Sequence, residues 1–173
     1  IVGDWMPIRL FENQKGKLIE VENKTLQNTW GRWNKIVPFD FDGDGDTDYV
    51  GGNSGTNFPF ELSASQPLQH FYDDFNEDGR IDPVITYASA GKRFPVASRD
   101  EMLLQINSLR RKFTNYSQYA NATVEDIFGK EFLDAAKMLK IQTLQSIVLE
   151  NTGGGTFELR SLPMMAQISS VNG

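Results

Sequence analysis

One nine-residue pattern occurs twice in this chain: residues 40–48 read Asp-Phe-Asp-Gly-Asp-Gly-Asp-Thr-Asp, and residues 74–82 read Asp-Phe-Asn-Glu-Asp-Gly-Arg-Ile-Asp. Both fit D-x-[DN]-x-D-G-x-x-D, with oxygen-bearing side chains at alternating positions and a glycine at the sixth. Hard divalent cations are bound by such loops, because Ca²⁺ takes six to eight oxygen ligands and the glycine permits the sharp turn that brings them together. A short acidic run is usually nothing more than a solvated surface. A doubled match at fixed ligand positions is far more specific than acidity.

On this pattern, Asp40, Asp42, Asp44 and Asp48 offer carboxylates in the first loop, Asp46 offers its backbone carbonyl and Gly45 makes the turn. In the second loop Asp74, Asn76, Asp78 and Asp82 offer side-chain oxygens, Arg80 its carbonyl, and Gly79 the turn. The expected cofactor is therefore Ca²⁺ at two sites. Asn76 lowers the ligand charge of the second site relative to the first. An EF-hand is excluded, since it needs a bidentate Glu at position twelve, where this chain has Gly51 and Ile85. Short apolar runs flank both loops, Trp33 to Phe39 with Tyr49 to Gly52, and Leu68 to Tyr72 with Val84 to Tyr87. Their β-branched and aromatic residues predict strands, so each loop joins two of them.

The strand-loop-strand units over residues 33–52 and 67–88 resemble the FG-GAP or VCBS-type repeats of integrin-α-like β-propellers. A second repeated element strengthens the resemblance. Leu10-Phe11-Glu12-Asn13 followed by Gly16-Lys17-Leu18 recurs as Val148-Leu149-Glu150-Asn151 followed by Gly154, Gly155 and Phe157. Both copies read as hairpins with glycine at the turn, similar to the outer strand pair of such repeats. The resemblance implies a mainly β fold of propeller-type antiparallel blades with calcium loops, in a fragment of a larger propeller. Too few residues separate the two loops for another complete blade, so residues 33–88 are expected to form one four-stranded meander with both loops at the same end.

Residues 92–140 fall outside the repeats. Ser98-Arg99-Asp100-Glu101 has the form of a capping box, and Met102, Leu103, Ile106 and Leu109 or Leu104 follow at helical spacing, predicting a helix over 98–112. Thr123-Val124-Glu125-Asp126 starts a second helical stretch over 124–139. The expected organisation is thus blade strands with two calcium loops at 1–91, a helical insertion at 92–140, and a blade hairpin with the start of a further repeat at 141–173. Ile1-Val2-Gly3 and the last residues, Ile168 to Gly173, read as cuts through repeats, the latter as a strand feeding a third loop. Ile8, Leu10, Leu18 and Val21 are the inward candidates near the start.

The net charge of -6 argues against nucleic acid as a partner. Ten of the 23 acidic residues lie in residues 40–48 and 73–82, so two bound Ca²⁺ would bring the formal charge from -6 to -2. With no cysteine, disulfides, thiolate catalysis and Cys-type zinc sites are excluded. No apolar run of membrane-spanning length is present. His70 is the single histidine and sits in a strand, where a packed residue is the commoner outcome than a ligand, and no histidine-based triad has another candidate. Arg110, Arg111 and Lys112 read as favourable charges at a helix C-terminus. Asn115-Tyr116-Ser117 and Asn121-Ala122-Thr123 match the glycosylation pattern, by chance in a bacterial protein. Trp30, Trp33, Phe39, Phe58 and Phe60 fit hydrophobic packing better than a carbohydrate platform.

The functional expectation is a non-catalytic, calcium-binding propeller segment of an exported or cell-surface protein (extracellular or periplasmic), acting as a protein- or glycan-binding scaffold. Loops with affinities of about 10⁻⁴ to 10⁻³ M stay loaded only where calcium is high, which is the reason for an exported location. The alternative is an accessory carbohydrate-binding domain of a polysaccharide-degrading enzyme.

Overall fold

The computed structural model describes residues 1–172. In chain order its elements are β1 (Asp4–Met6), β2 (Leu10–Gln14), β3 (Lys17–Val21), β4 (Gly31–Arg32), β5 (Lys35–Phe39), β6 (Asp48–Gly52), β7 (Leu68–Asp73), β8 (Asp82–Ser89) and β9 (Lys92–Pro95). Next come α1 (Arg99–Gln105), α2 (Tyr116–Ala120), α3 (Val124–Phe128), α4 (Lys130–Ala135), β10 (Lys137–Ile141), β11 (Ile147–Asn151) and β12 (Phe157–Ser161). The fold is mainly β, in antiparallel sheets, and it divides into two compact units: Ile1–Ser65 with Lys140–Gly173, and Gln66–Leu139.

In the first unit, β5, β6, β11 and β12 form one sheet in the order β12-β11-β6-β5. Tyr49 and Val50 pair with Pro38 and Val37 on one side and with Leu149 and Val148 on the other. Trp33 lies over β6 at Gly51, where a Cβ would come within 3.1 Å of the indole ring. A side chain there would push the indole by a few tenths of an ångström. Ile8, Leu26, Trp33, Ile147, Leu149 and Phe157 make the core. The indole Nε1 donates to the Thr29 carbonyl at 2.7 Å, and the buried Thr29 hydroxyl accepts from Ile8 N at 2.8 Å, so the polar atoms of this core are satisfied.

Between β6 and β11 the chain departs for the second unit and returns. A buried polar clamp marks both points. Asn53 N donates to Ser146 Oγ at 3.0 Å, and the Asn53 amide donates to the carbonyls of Thr143 and Gln145. Gln167 closes the same network, accepting from Ser146 N and donating to Ser146 O, each at 2.8 Å. Asn53 and Ser146 are fully buried, so loss of either partner would leave polar groups without water.

The second unit is a sheet in the order β10-β7-β8-β9 carrying the helical segments. Along β8, Asp82, Val84 and Thr86 are buried with period two, the mark of a strand with one covered face. The cover is helical. Met102, Leu103, Ile106, Leu109, Phe113, Tyr119, Val124, Ile127 and Leu133 join Phe71 and Val84 in one core. Each such side chain contributes about 1.5–3 kcal/mol on full burial.

Several expectations are corrected. The two loop units do not share a meander, because β5–β6 and β7–β8 belong to different sheets, and β6 takes β11 as its second neighbour. The helix expected over 98–112 ends at Gln105 and is followed by a 3-10 turn at Asn107–Arg111; residues 137–139, expected to be helical, begin β10. Leu18 and Val21 are exposed, whereas Ile8 is buried. Residues 168–172 form no strand, and Gly173 lies outside the described residues.

Both helix starts are capped as expected. The Ser98 and Glu101 side chains each bond the other's backbone N–H, as do those of Thr123 and Asp126. Ser98→Ala should destabilise the second unit by about 1 kcal/mol in urea denaturation. The side-chain bond from Ser98, reinforced by its backbone N–H, holds the Glu101 carboxyl below the usual carboxylate range. Its contribution is thus present above the ordinary carboxylate pKa and lost as pH falls through the lowered value, and Ser98→Ala should flatten that acid dependence.

Candidate metal centre

Phe39 pairs with Asp48 at the end of the β5–β6 ladder, leaving residues 40–47 as the connection. Within it, carboxylates fold the backbone around themselves. Asp40 Oδ1 accepts from Gly43 N at 2.8 Å, Asp42 Oδ1 from Asp44 N at 3.2 Å, and Asp44 Oδ1 from Asp46 N at 2.9 Å. Gly43 and Gly45 take φ of +80° and +90°, a region that glycine enters without a side-chain clash. Asp48, the last residue of the pattern, is fully buried at the start of β6. Its Oδ2 accepts from Phe41 N at 2.5 Å and its Oδ1 from Asn151 N at 2.7 Å, so one carboxylate ties the loop to the end of β11.

Carboxylate oxygens of Asp40, Asp42 and Asp48 all lie within 4.8 Å of one another. Of the residues nominated in this loop, those three converge; Asp44 instead braces the turn through Asp46 N. Asp46 Oδ1 is closed off from solvent with no hydrogen-bond donor. Desolvation is the main cause that raises the Asp46 pKa, with the charges of Asp44, Asp48 and Asp42 acting in the same direction. An all-oxygen, anionic donor set with one acceptor lacking a donor fits a hard divalent cation, and offers no nitrogen or sulfur for a softer one. The residues present could hold a metal.

The second loop repeats this wiring. Asp73 pairs with Asp82, leaving residues 74–81 as the connection. Asp82 Oδ2 accepts from Phe75 N at 3.1 Å, just as Asp48 accepts from Phe41. Asn76 Oδ1 accepts from Asp78 N and Asp78 Oδ1 from Arg80 N, both at 2.9 Å, and Gly79 has φ +84°. The fourth position and the bonding of the first carboxylate differ. Glu77 takes φ +60° where the first loop has Gly43, a left-handed conformation unfavourable by about 1–2 kcal/mol for a residue with a Cβ. Asp74 spends both oxygens on its own loop, accepting from Asp78 N at 2.9 Å and Gly79 N at 2.7 Å. Among the described residues no trio of carboxylates in this loop reaches the spacing seen in the first. Burial raises the Asp82 pKa foremost, with Asp78 and Asp74 adding to it, while bonds from Phe75 N and the Gln105 side chain act in the opposite sense.

The other candidates disperse. His70 is half-buried, its pKa lowered by that burial, with its ring 5.9 Å from Tyr72. Trp33 is in the core, Trp30 has Lys140 over its ring, Phe39 packs on Phe41, and Phe58 packs on Phe60. They do not make one aromatic platform. Sequence reasoning missed Asn151, which holds Asp48 through its backbone N–H, a group that no residue type signals. No protein-family model, curated protein or solved structure matches the chain.

A raised carboxyl pKa favours folding below the ordinary carboxylate range, and that contribution is lost as pH rises through the raised value. At neutral pH, with metal chelated, Asp46 therefore opposes the folded loop. Asp46→Asn should raise the melting temperature in EDTA at pH 7 and leave it nearly unchanged at acid pH, as scanning calorimetry at the two pH values will show.

Proposed function

We propose that this chain is a calcium-stabilised, non-catalytic segment of an FG-GAP/VCBS-type β-propeller from an exported or cell-surface protein, serving as a scaffold that binds protein or glycan. The observation that carries the reading is the convergence of Asp40, Asp42 and Asp48 at the turn between β5 and β6. A second support is topological. Sheet order β12-β11-β6-β5 follows chain order, which makes an up-and-down four-stranded sheet of the kind that forms a propeller blade. A third is that β2–β3 and β11–β12 are hairpins built on the same Glu-Asn pattern, as a repeated blade requires.

Calcium in this reading is structural. Bound between the loop carboxylates, it would relieve their mutual repulsion and supply the donor-free Asp46 side with a counter-charge. Through Asp48 it would act on the β6–β11 junction as well. Such binding is linked to folding, contributing about 2.7 kcal/mol when free calcium is a hundred times the dissociation constant. The second loop, with Asn76 in place of an aspartate and Asp74 bonded to its own backbone, is the weaker site. Among the described residues no helix is long and apolar enough to cross a membrane.

The test is a pair of melts. The unaltered chain should gain several degrees in melting temperature with 5–10 mM calcium over EDTA, on the order expected from the linkage above. Asp42→Ala, which removes a member of the converging trio and only the longest of the turn's backbone bonds, should lose most of that gain while changing less in EDTA. An equal loss with and without calcium would show that Asp42 is only a structural residue, and no shift in the unaltered chain would remove the calcium reading altogether.

A further inference from the structure

In the second unit, β9 and the α3–α4 segment border a cleft of about 450 Å³, within the range of small-molecule sites. Its floor is apolar: Phe71 and Leu133 are both buried members of the unit's core, and the exposed Met138 forms an adaptable wall. Four charged side chains also line it, and they are balanced in sign. Arg93 and Lys130 are cationic, Glu125 and Asp134 anionic.

These four charges are not used alike. Lys130 and Asp134 neutralise each other, with Nζ donating to the carboxylate at 2.7 Å. Arg93 and Glu125 are close enough to feel each other electrostatically, yet no ion pair within 4.0 Å joins them among the described residues. Arg93 is half-buried, and its hydrogen bonds all leave from Nη1, to Pro67 O at 3.0 Å and more distantly to Thr86. Its Nε and Nη2 have no hydrogen-bond partner among the described residues. Burial depresses the Arg93 pKa, and Glu125 acts the other way. A partly desolvated guanidinium with uncommitted N–H groups is an unfilled donor site for a carboxylate, which Arg binds in bidentate geometry.

We propose that this cleft binds a small zwitterion of the α-amino-acid type with an apolar side chain. The ligand carboxylate meets the free N–H groups of Arg93, its ammonium meets Glu125, and its side chain lies on Phe71, Leu133 and Met138. Charge balance in the lining explains the preference. A ligand of net charge would leave one of the two unpaired groups without a partner, whereas a zwitterion satisfies both. None of its lining residues belongs to either carboxylate loop, so the proposal stands whether or not those loops take calcium.

Isothermal titration of the full chain with three probes decides the matter. L-leucine should bind with a dissociation constant below about 1 mM. L-leucinamide, which lacks the carboxylate, and N-acetyl-L-leucine, which lacks the ammonium, should each bind at least about tenfold more weakly, the loss of one charge-assisted bond. Glu125→Gln, at an exposed position, should weaken L-leucine by a similar factor and leave N-acetyl-L-leucine unchanged, with circular dichroism confirming the fold. No heat with L-leucine up to about 10 mM, or equal affinity for all three probes on the unaltered chain, would overturn the proposal.

Discussion

A single buried carboxylate organises the first unit. Asp48 is fully enclosed, and an enclosed anion is tolerated only when hydrogen-bond donors surround it. The donors it has chosen are separated by most of the chain: Phe41 N within its own turn, and Asn151 N at the far end of a strand that arrives 103 residues later. Those two bonds link the acidic turn to the pairing of β6 with β11. Turn geometry, sheet order and the return of the chain from the second unit therefore depend on the same side chain. Asp82 begins β8 with the equivalent bond to Phe75 N and lies against the same unit's helix α1 through Gln105.

Electrostatics gives this arrangement its direction. Asp40 and Asp42 are held beside Asp48 by backbone bonds that shape the turn, not by any attraction among themselves. Like charges gathered in this way raise the free energy of the folded loop, and Asp46, shielded from water and with no donor at Oδ1, registers that in its raised pKa. A divalent cation, if bound there, would turn the same spacing from a liability into a ligand set. The second loop gathers less charge: Asn76 stands where the first has Asp42, and Asp74 is satisfied by the N–H groups of Asp78 and Gly79.

What the sequence made legible was local. The loops, the hairpins on Glu12-Asn13 and Glu150-Asn151, and the capping boxes at Ser98 and Thr123 all depend on residues within a few positions of one another, and the structure contains each of them. Strand partnership is a different matter. Nothing in the alternation of Tyr49, Val50 and Gly51 distinguishes β7 as a neighbour from β11, because both offer short apolar runs after a turn. Distance along the chain suggested the nearer one; in the structure the farther one pairs, and the Asn53, Ser146 and Gln167 clamp holds the end of β6 beside the start of β11. Likewise Met102, Leu103 and Ile106 announced an amphipathic helix, but not that its apolar face covers Phe71 and Val84 and makes the helices part of the second sheet's core. The convergence of Asp40, Asp42 and Asp48 followed from spacing; the bond from Asn151 could not, since a backbone N–H carries no sequence signal.

The most direct measurement is a crystal structure of the chain grown with calcium in excess, with anomalous scattering used to locate the ion. A peak about 2.3–2.6 Å from oxygens of the Asp40–Asp48 turn, with the Asp46 side drawn towards it, is the predicted result. A well-ordered turn with only water among Asp40, Asp42 and Asp48 at saturating calcium would contradict the account.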